Sequence, residues 1–519
     1  MVFLIFIIST AVRFGPIYHK GYSYGLSVDN LILARNLSLV GEYKIDNEKN
    51  VVLSSEVVKE RGKESQIGNK LTPILYSKVF DIFGINKNIP LWTSLILYGI
   101  VSVLLFLLVL KLFNIWIALI FSFVEILSPL INQFAIRPGF YEWAALFLTV
   151  TLFLYLRKRK PNLAVLFFSG LFLGLASLAR NSFLIIPFAF LVYDFYKSRS
   201  LKRVLIFILP VFILWGIYLG PSIFQKGEVS NVYLSSKETS SGYLHIFPDP
   251  YTWHFERDAY VEKIKGADFY NYDYSQFLSK YGYPVSLKDK ISMYWASIIS
   301  YPKGLFAQTT IGGPFLIFFL VLGGFYLHKK RKDLLELFTI WAVLTYLFLI
   351  TMASNHWGHF LSLQFPIFLL ISLGIYWTLQ FVLKQNLEST FKYLLIFGVI
   401  FVLSLHLTQS NKWTFHERYL YSKVGETLNL VKAIERKEDK IDKVNDVIAV
   451  GSPNSRASFV LNWYTDFSYV YFDPHTVEKL IEEDKLQWAF KQFGVTKILG
   501  YDEELAEKII EATGVEGID

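Results

Sequence analysis

The sequence contains no cysteine, which excludes disulfides, thiolate metal sites and cysteine nucleophiles while leaving the compartment open. It has no phosphate-cradling Gly-rich loop, no kinase or hydrolase signature and no His-Glu-x-x-His pair. Soluble nucleotide-dependent chemistries therefore have no support. No internal repeat or low-complexity tract is present. The first segment, Met1 to about Tyr18, lacks the basic start and small-residue cleavage site of a secretory signal peptide, and reads instead as a transmembrane helix.

What the chain has in abundance is apolar surface. Of its 519 residues 53% are hydrophobic and 18% aromatic, with a mean hydropathy of +0.38, too greasy for a soluble protein. After the first segment, apolar runs fall at 91–112, 114–135, 139–156, 162–179, 182–196, 204–222, 305–327, 334–353, 359–381 and 391–408. Each is near the roughly 20 residues that a bilayer requires. The formal charge of +8 resembles a nucleic-acid signal until its residues are located. Arg157 to Lys160, then Lys197, Arg199, Lys202 and Arg203, then Lys329 to Lys332, then Lys384 and Lys392 all fall in alternate connections. The positive-inside rule thus predicts a cytoplasmic N-terminus, with loops 19–89 and 223–304 and the tail outside, and no nucleic-acid partner.

The predicted fold class is a polytopic α-helical membrane protein of about 11 transmembrane helices, with structured external loops and a small C-terminal external α/β domain. Residues 1–409 would form the transmembrane domain and 410–519 the external domain. In the latter, Val447–Val450 and Val495–Leu499 read as strands, with a helical pattern from Thr476 to Phe493 between them. The first external loop is expected to carry interfacial helices. One lies in the stretch Gly25 to Val40, with Ser27 as candidate N-cap and Asp29 in the first turn, and a second spans Leu71 to Phe83. The outer loop 225–303 is rich in Tyr and Trp, which stack on sugar rings in some proteins and more often mark the membrane interface.

Charged groups in or beside membrane segments are costly, so those on the outer side are functional candidates. They are Asp29, Arg137, Glu142, Arg180, Lys303, His356 and His359. Their common side predicts a water-accessible cavity combining carboxylates with cations. Each has a plainer reading. A first-turn aspartate complements the helix dipole, Arg137, Arg180 and Lys303 can snorkel at helix ends, and Glu142 can form a structural pair with Arg137. His356 and His359 alone are a weak metal signal.

Several stretches, taken in order, resemble one family, the GT-C superfamily of polytopic glycosyltransferases, in its protein O-mannosyltransferase and aminoarabinose-transferase-like branch. Val28-Asp29-Asn-Leu-Ile-Leu-Ala-Arg-Asn-Leu-Ser-Leu-Val-Gly-Glu-Tyr43 is similar to that family's first external loop with its acidic residue. Leu71 to Gly84 resembles the segment leading into the second span, Arg137-Pro-Gly-Phe-Tyr-Glu142 the second acidic site, and Gly170-Leu-Phe-Leu-Gly-Leu-Ala-Ser-Leu-Ala-Arg180 its small-residue helix. Ser300 to Phe306 and His359 to Pro366 resemble later landmarks. There are departures: Asn30 stands where the family often has a second acidic residue, and His359-Phe360 where many relatives have Arg-Tyr.

The resemblance implies inverting transfer of a sugar from a polyprenyl-phosphate donor to a protein, lipid or glycan acceptor on the external face of the plasma membrane. Asp29 would be the general base, with Glu142 as the second acidic residue of the catalytic site. Arg137, Arg180, Lys303, His356 and His359 would be the donor-phosphate contacts. No cofactor is predicted, and a divalent metal has only weak support. The alternatives from other classes are a lipid or solute transporter, which would show inverted repeats and broken helices in matching halves, and a non-catalytic sugar-binding membrane protein that tolerates loss of Asp29.

Overall fold

A computed structural model describes residues 1–20, 28–44, 51–61, 71–139, 141–157, 161–226, 298, 313, 315–352, 357–385, 389–416, 420–452, 457–472, 474–482 and 484–518. Each predicted apolar run contains a helix: α1 (Val2–Lys20), α5 (Ile89–Leu112), α6 (Ile115–Ile126) with α7 (Pro129–Ala135), α8 (Glu142–Leu156), α9 (Leu163–Ala179), α10 (Ile186–Ser198), α11 (Leu201–Lys226), α12 (Phe315–Lys330), α13 (Lys332–Met352), α14 (Gln364–Lys384) and α15 (Ser389–His416). Between the first two of these lie α2 (Val28–Val40), α3 (Ser55–Arg61) and α4 (Leu71–Phe83). Among the described residues, Ile89–Leu112, Leu201–Tyr218 and Phe360–Lys384 are each long and apolar enough to cross a membrane. One run departs from the straight helix expected over 114–135. It bends by 60° between α6 and α7, because Leu127 ends α6 and Ser128 starts a new helix as N-cap with Pro129 behind it.

Small residues set how closely the helices pack. A Cβ on Gly170 of α9 would sit 1.9 Å from the Phe207 carbonyl oxygen of α11, and α12 and α14 meet through a reciprocal pair: a Cβ on Gly323 would sit 1.8 Å from the Leu370 oxygen, and one on Gly374 1.9 Å from the Phe319 oxygen. Without a hydrophobic driving force between helices in lipid, such backbone approach supplies the van der Waals contact that holds them.

The turns sort to two ends. At one, Arg203 donates to the Pro161 carbonyl at 3.0 Å and pairs with Asp194 at 3.4 Å, Lys197 pairs with Glu336, and Arg331 reaches the Leu112 carbonyl at 3.5 Å. The basic connections thus gather together. At the other end, Ser94 donates to the Ala135 carbonyl and Thr72 to the Ala179 carbonyl, at 2.9 and 3.0 Å, and the module formed by the C-terminal residues sits there too.

That module carries a five-stranded sheet in the order β1-β3-β2-β4-β5, made of β1 (Val51–Val52), β2 (Val447–Val450), β3 (Ser468–Tyr471), β4 (Lys497–Leu499) and β5 (Glu516–Gly517). The pairs among β2 to β5 are parallel, and β1 joins β3 antiparallel with Val51 opposite Val470. The expected strands at 447–450 and within 495–499 are therefore present. The helical pattern from 476 to 493 is two helices, Pro474–Glu482 and Leu486–Phe493. The first loop supplies an edge strand to this sheet, a pairing across some four hundred residues. It also buries α2, whose Leu31, Ile32, Leu33 and Ala34 are fully covered by α4 and by the helix Ala457–Thr465. The apolar first half of α2 is thus packed under protein, while Leu39 near its end is exposed.

Candidate active site

Asp29 sits half-buried in the first turn of α2, and Ser27, its expected cap, lies outside the described residues. The next side chain, Asn30, is buried and donates from Nδ2 to the Gly139 carbonyl at 2.9 Å. That bond ties the start of α2 to the turn 136–139, which follows α7 and has Gly139 at φ 85°. A positive φ of this kind suits glycine.

Glu142 closes the same turn. It is fully buried at the start of α8. Its Oε1 accepts from the Gly139 amide at 2.6 Å and from the Tyr76 hydroxyl, and its Oε2 accepts from the Tyr141 amide at 3.0 Å. A carboxylate receiving amides at a helix start is favoured by both charge and hydrogen bonding. Arg137, 5% exposed, belongs to this turn as well. Tyr141 is buried, its ring 4.7 Å from Phe134 edge-on. Above that ring lies the guanidinium of Arg180, its Cζ 4.6 Å from the centroid, an arrangement in which the ring face attracts the cation. Arg180 itself terminates α9 in extended backbone, and Phe183 in the 3₁₀ turn after it also packs on Tyr141.

Asp29, Arg137, Glu142 and Arg180 therefore sit on elements bonded or packed together at one end of the bundle. The backbone of His359 is in a 3₁₀ helix, Trp357–Leu363, that packs against residues 181–183; its side chain, Lys303, His356 and the aromatic loop lie outside the described residues. Tyr43 joins the group from the end of the first-loop pattern. Its phenol is pushed up by burial and then by the negative charge of Asp29, so it stays protonated beside that carboxylate at neutral pH.

No family model and no curated protein matches the chain. Solved structures do. The oligosaccharyltransferase AglB from Archaeoglobus fulgidus, in complex with an inhibitory peptide and a dolichol-phosphate, is 13% identical, with a TM-score of 0.55 over 99% of this chain and 71% of that one. An A. fulgidus oligosaccharyltransferase complex with Zn and sulfate gives a TM-score of 0.56 at 13% identity, over 95% and 67% of the two chains. ArnT from Cupriavidus metallidurans bound to undecaprenyl phosphate is 11% identical, with a TM-score of 0.54 over 100% of this chain and 90% of that one. The chain has a GT-C fold.

Within this GT-C fold, sequence reasoning missed two charges, Arg35 of α2 and Glu125 of α6. Glu125 is fully buried in α6 and pairs with Arg13 of α1 at 2.7 Å, also fully buried. Ser102 donates to Glu125 at 2.8 Å, and Arg13 further reaches the Tyr98 carbonyl at 3.2 Å and Asn132 of α7 at 3.3 Å. The pair locks α1 and α5 to the bent α6–α7, the helix that delivers the chain to the Arg137 turn. The signal was present: a lone Glu inside the apolar run 114–135 should have a partner on another span. Among the described residues no three His, Cys, Asp or Glu side chains gather as a metal ion would need.

Proposed function

We propose that this protein transfers a sugar from a polyprenyl-phosphate donor to a protein, lipid or glycan acceptor, with inversion, at the end of the bundle where the N-terminus of α2 meets the turn 136–142. The observation that carries this reading is the convergence of Asp29, Glu142, Arg137 and Arg180 at one end of a GT-C fold. Two proteins of that fold were captured with dolichol-phosphate and undecaprenyl phosphate. The basic residues of the opposite end support an orientation with the N-terminus cytoplasmic and the site and C-terminal module external, at the plasma membrane.

In this reading the lipid tail lies among membrane helices and its phosphate at the site. Asp29 takes the proton from the acceptor nucleophile, the nucleophile bonds to the anomeric carbon, and the bond from that carbon to the phosphate oxygen breaks. Negative charge then accumulates on the departing phosphate. Arg137 and Arg180 stabilise it, their planar guanidinium groups suiting two-point contact with phosphate oxygens; Lys303, His356 and His359 are proposed to assist. Glu142 organises the turn that presents Arg137, and Asn30 fixes that turn to the helix of the base. Residues 1–409 would form the catalytic transmembrane domain and 410–519 the external one.

The test uses the full chain in lipid nanodiscs with undecaprenyl-phosphate-linked and dolichyl-phosphate-linked mannose, membrane extract as acceptor source, and release of free polyprenyl phosphate as readout. Asp29→Asn should lower release at least about 1,000-fold, in the range lost with an essential base, while leaving expression and melting temperature unchanged. A fully active Asn variant would remove Asp29 from the mechanism.

A further inference from the structure

Helix α2 is anchored at its start and in its middle, to different parts of the molecule. Its first turn is bonded to the membrane bundle through Asn30 and Gly139. Farther along, Arg35 is 3% exposed and turned to the C-terminal module. Its Nη1 donates to the Asn462 backbone carbonyl and its Nη2 to the Asn462 Oδ1, both at 2.9 Å, and Nη1 pairs with Asp466 at 3.1 Å. These partners are themselves fixed. Asn462, fully buried, spends its amide hydrogens on the carbonyls of Leu53 and Phe467 at 2.9 and 2.7 Å. Asp466 accepts from the Ser55 amide at 2.9 Å and from the Ser55 hydroxyl, and its own backbone is left-handed at φ 57°. The strand β1 and helix α3 enclose the same node.

We infer that Arg35 is a positioning residue for Asp29, and that the C-terminal module, through Asn462 and Asp466, sets where the base stands. The inference rests on the assignment of Asp29 made above. Six residues separate Asp29 from Arg35, which is about 9 Å along the helix axis and about 240° around it. The two side chains therefore leave different faces, so the module grips α2 without occupying the site. A helix of 13 residues is marginal on its own in water, and α2 owes its order to what covers it. A fork of donors shared between a side-chain amide, a backbone carbonyl and a carboxylate fixes rotation about the axis as well as position, which a lysine ammonium at the same place would not.

The experiment measures two quantities on the full chain in nanodiscs: amide hydrogen exchange, and polyprenyl phosphate release from the mannose donors named above. Arg35→Gln should raise exchange across residues 28–40 while leaving 142–156 and 163–179 protected. It should lower kcat about 10- to 100-fold, the scale of a small misplacement of a catalytic group, with KM for the lipid donor changed by less than about 3-fold. Arg35→Lys should recover only part of the loss. If Arg35→Gln fails to insert, Ser55→Ala takes its place, since it removes one donor to Asp466 without stranding a buried charge; a kcat loss of about 3-fold with faster exchange in α2 is then expected. Unchanged exchange in α2, or a wild-type kcat despite faster exchange, overturns the inference. Asp29→Asn run alongside separates the two readings: an active Asp29→Asn removes the base, whereas unchanged exchange in Arg35→Gln removes the module's hold on α2 whatever Asp29 does.

Discussion

Among the described residues two arginines, Arg13 and Arg35, are buried against a carboxylate, at different depths. Arg13 and Glu125 lie among the membrane helices with side chains 0% and 1% exposed, whereas Arg35 is 4% exposed and its carboxylate, Asp466, 26%. The deep pair has no water to fall back on. Its remaining hydrogen-bonding capacity is met by hydroxyls, a carbonyl and an amide from α1, α5 and α7. The shallower one spreads across backbone and side-chain acceptors of one module and keeps an edge open to solvent. A deep pair defines which helices belong together, while the shallower node decides how two finished bodies are set against each other. Both act on the same turn region from opposite sides, one through α7 and the other through α2.

The largest effect that would test this contrast is removal of one member of the deep pair. Glu125→Leu strands Arg13 and should cost about 3–5 kcal/mol, read as a large fall in melting temperature and in folded yield. The double variant Arg13→Met, Glu125→Leu should regain most of that loss. If it regains none, the pair contributes more than mutual charge compensation, and the contrast with Arg35 narrows. A middle-sized effect is expected at Tyr76→Phe, which takes one donor from Glu142 while the Gly139 and Tyr141 amides remain. It should cost about 1–2 kcal/mol of stability and lower polyprenyl phosphate release several-fold by loosening the Arg137 turn. Release equal to wild type would mean that the two amides alone hold the turn. The smallest effect belongs to the surface. Lys508 and Glu504 pair at 2.6 Å with side chains 54% and 80% exposed, and Lys508→Ala should leave the melting temperature and release unchanged, since exposed pairs are screened and entropically costly. A measurable fall there would mean that the module's surface charge reaches the site.

The spans were legible because a bilayer imposes a length and an apolar composition that a single sequence carries locally, and the basic connections repeat a rule of insertion. The strand Val447–Val450 was legible for a similar reason, as a short apolar run between turn signals. Other features depend on partners far away in the chain. Val51 and Val52 form no recognisable strand by themselves; they become one because Val470 and Tyr469 present an open edge to them. The bend at Ser128 has a local signal in Leu-Ser-Pro, but the apolar run continues through it and hides the break. Within the site, Asp29, Arg137, Glu142 and Arg180 were found by a rule about charges beside membrane segments. Glu125 and Arg35 escaped because that rule was applied to the ends of spans and not to their interiors, or to a helix outside the bilayer with one charge in an apolar middle. Of Gln225 to Lys303, with its aromatic residues, Gln225 and Lys226 end α11 and the Ile298 carbonyl accepts from Tyr346 at 2.6 Å, while the aromatic residues lie outside the described residues.

The edge strand from the first loop also has a bearing on how the protein is made. A chain emerging from its N-terminus delivers Val51 and Val52 hundreds of residues before the strand they pair with, so the cover over α2 cannot close until the last domain has been synthesised and folded. Until then the helix that bears Asp29 has α4 beside it but lacks the cover of the helix Ala457–Thr465. A product truncated before Asp466 therefore carries every apolar run and still lacks both the sheet edge and the Asp466 partner that hold Asp29's helix in place.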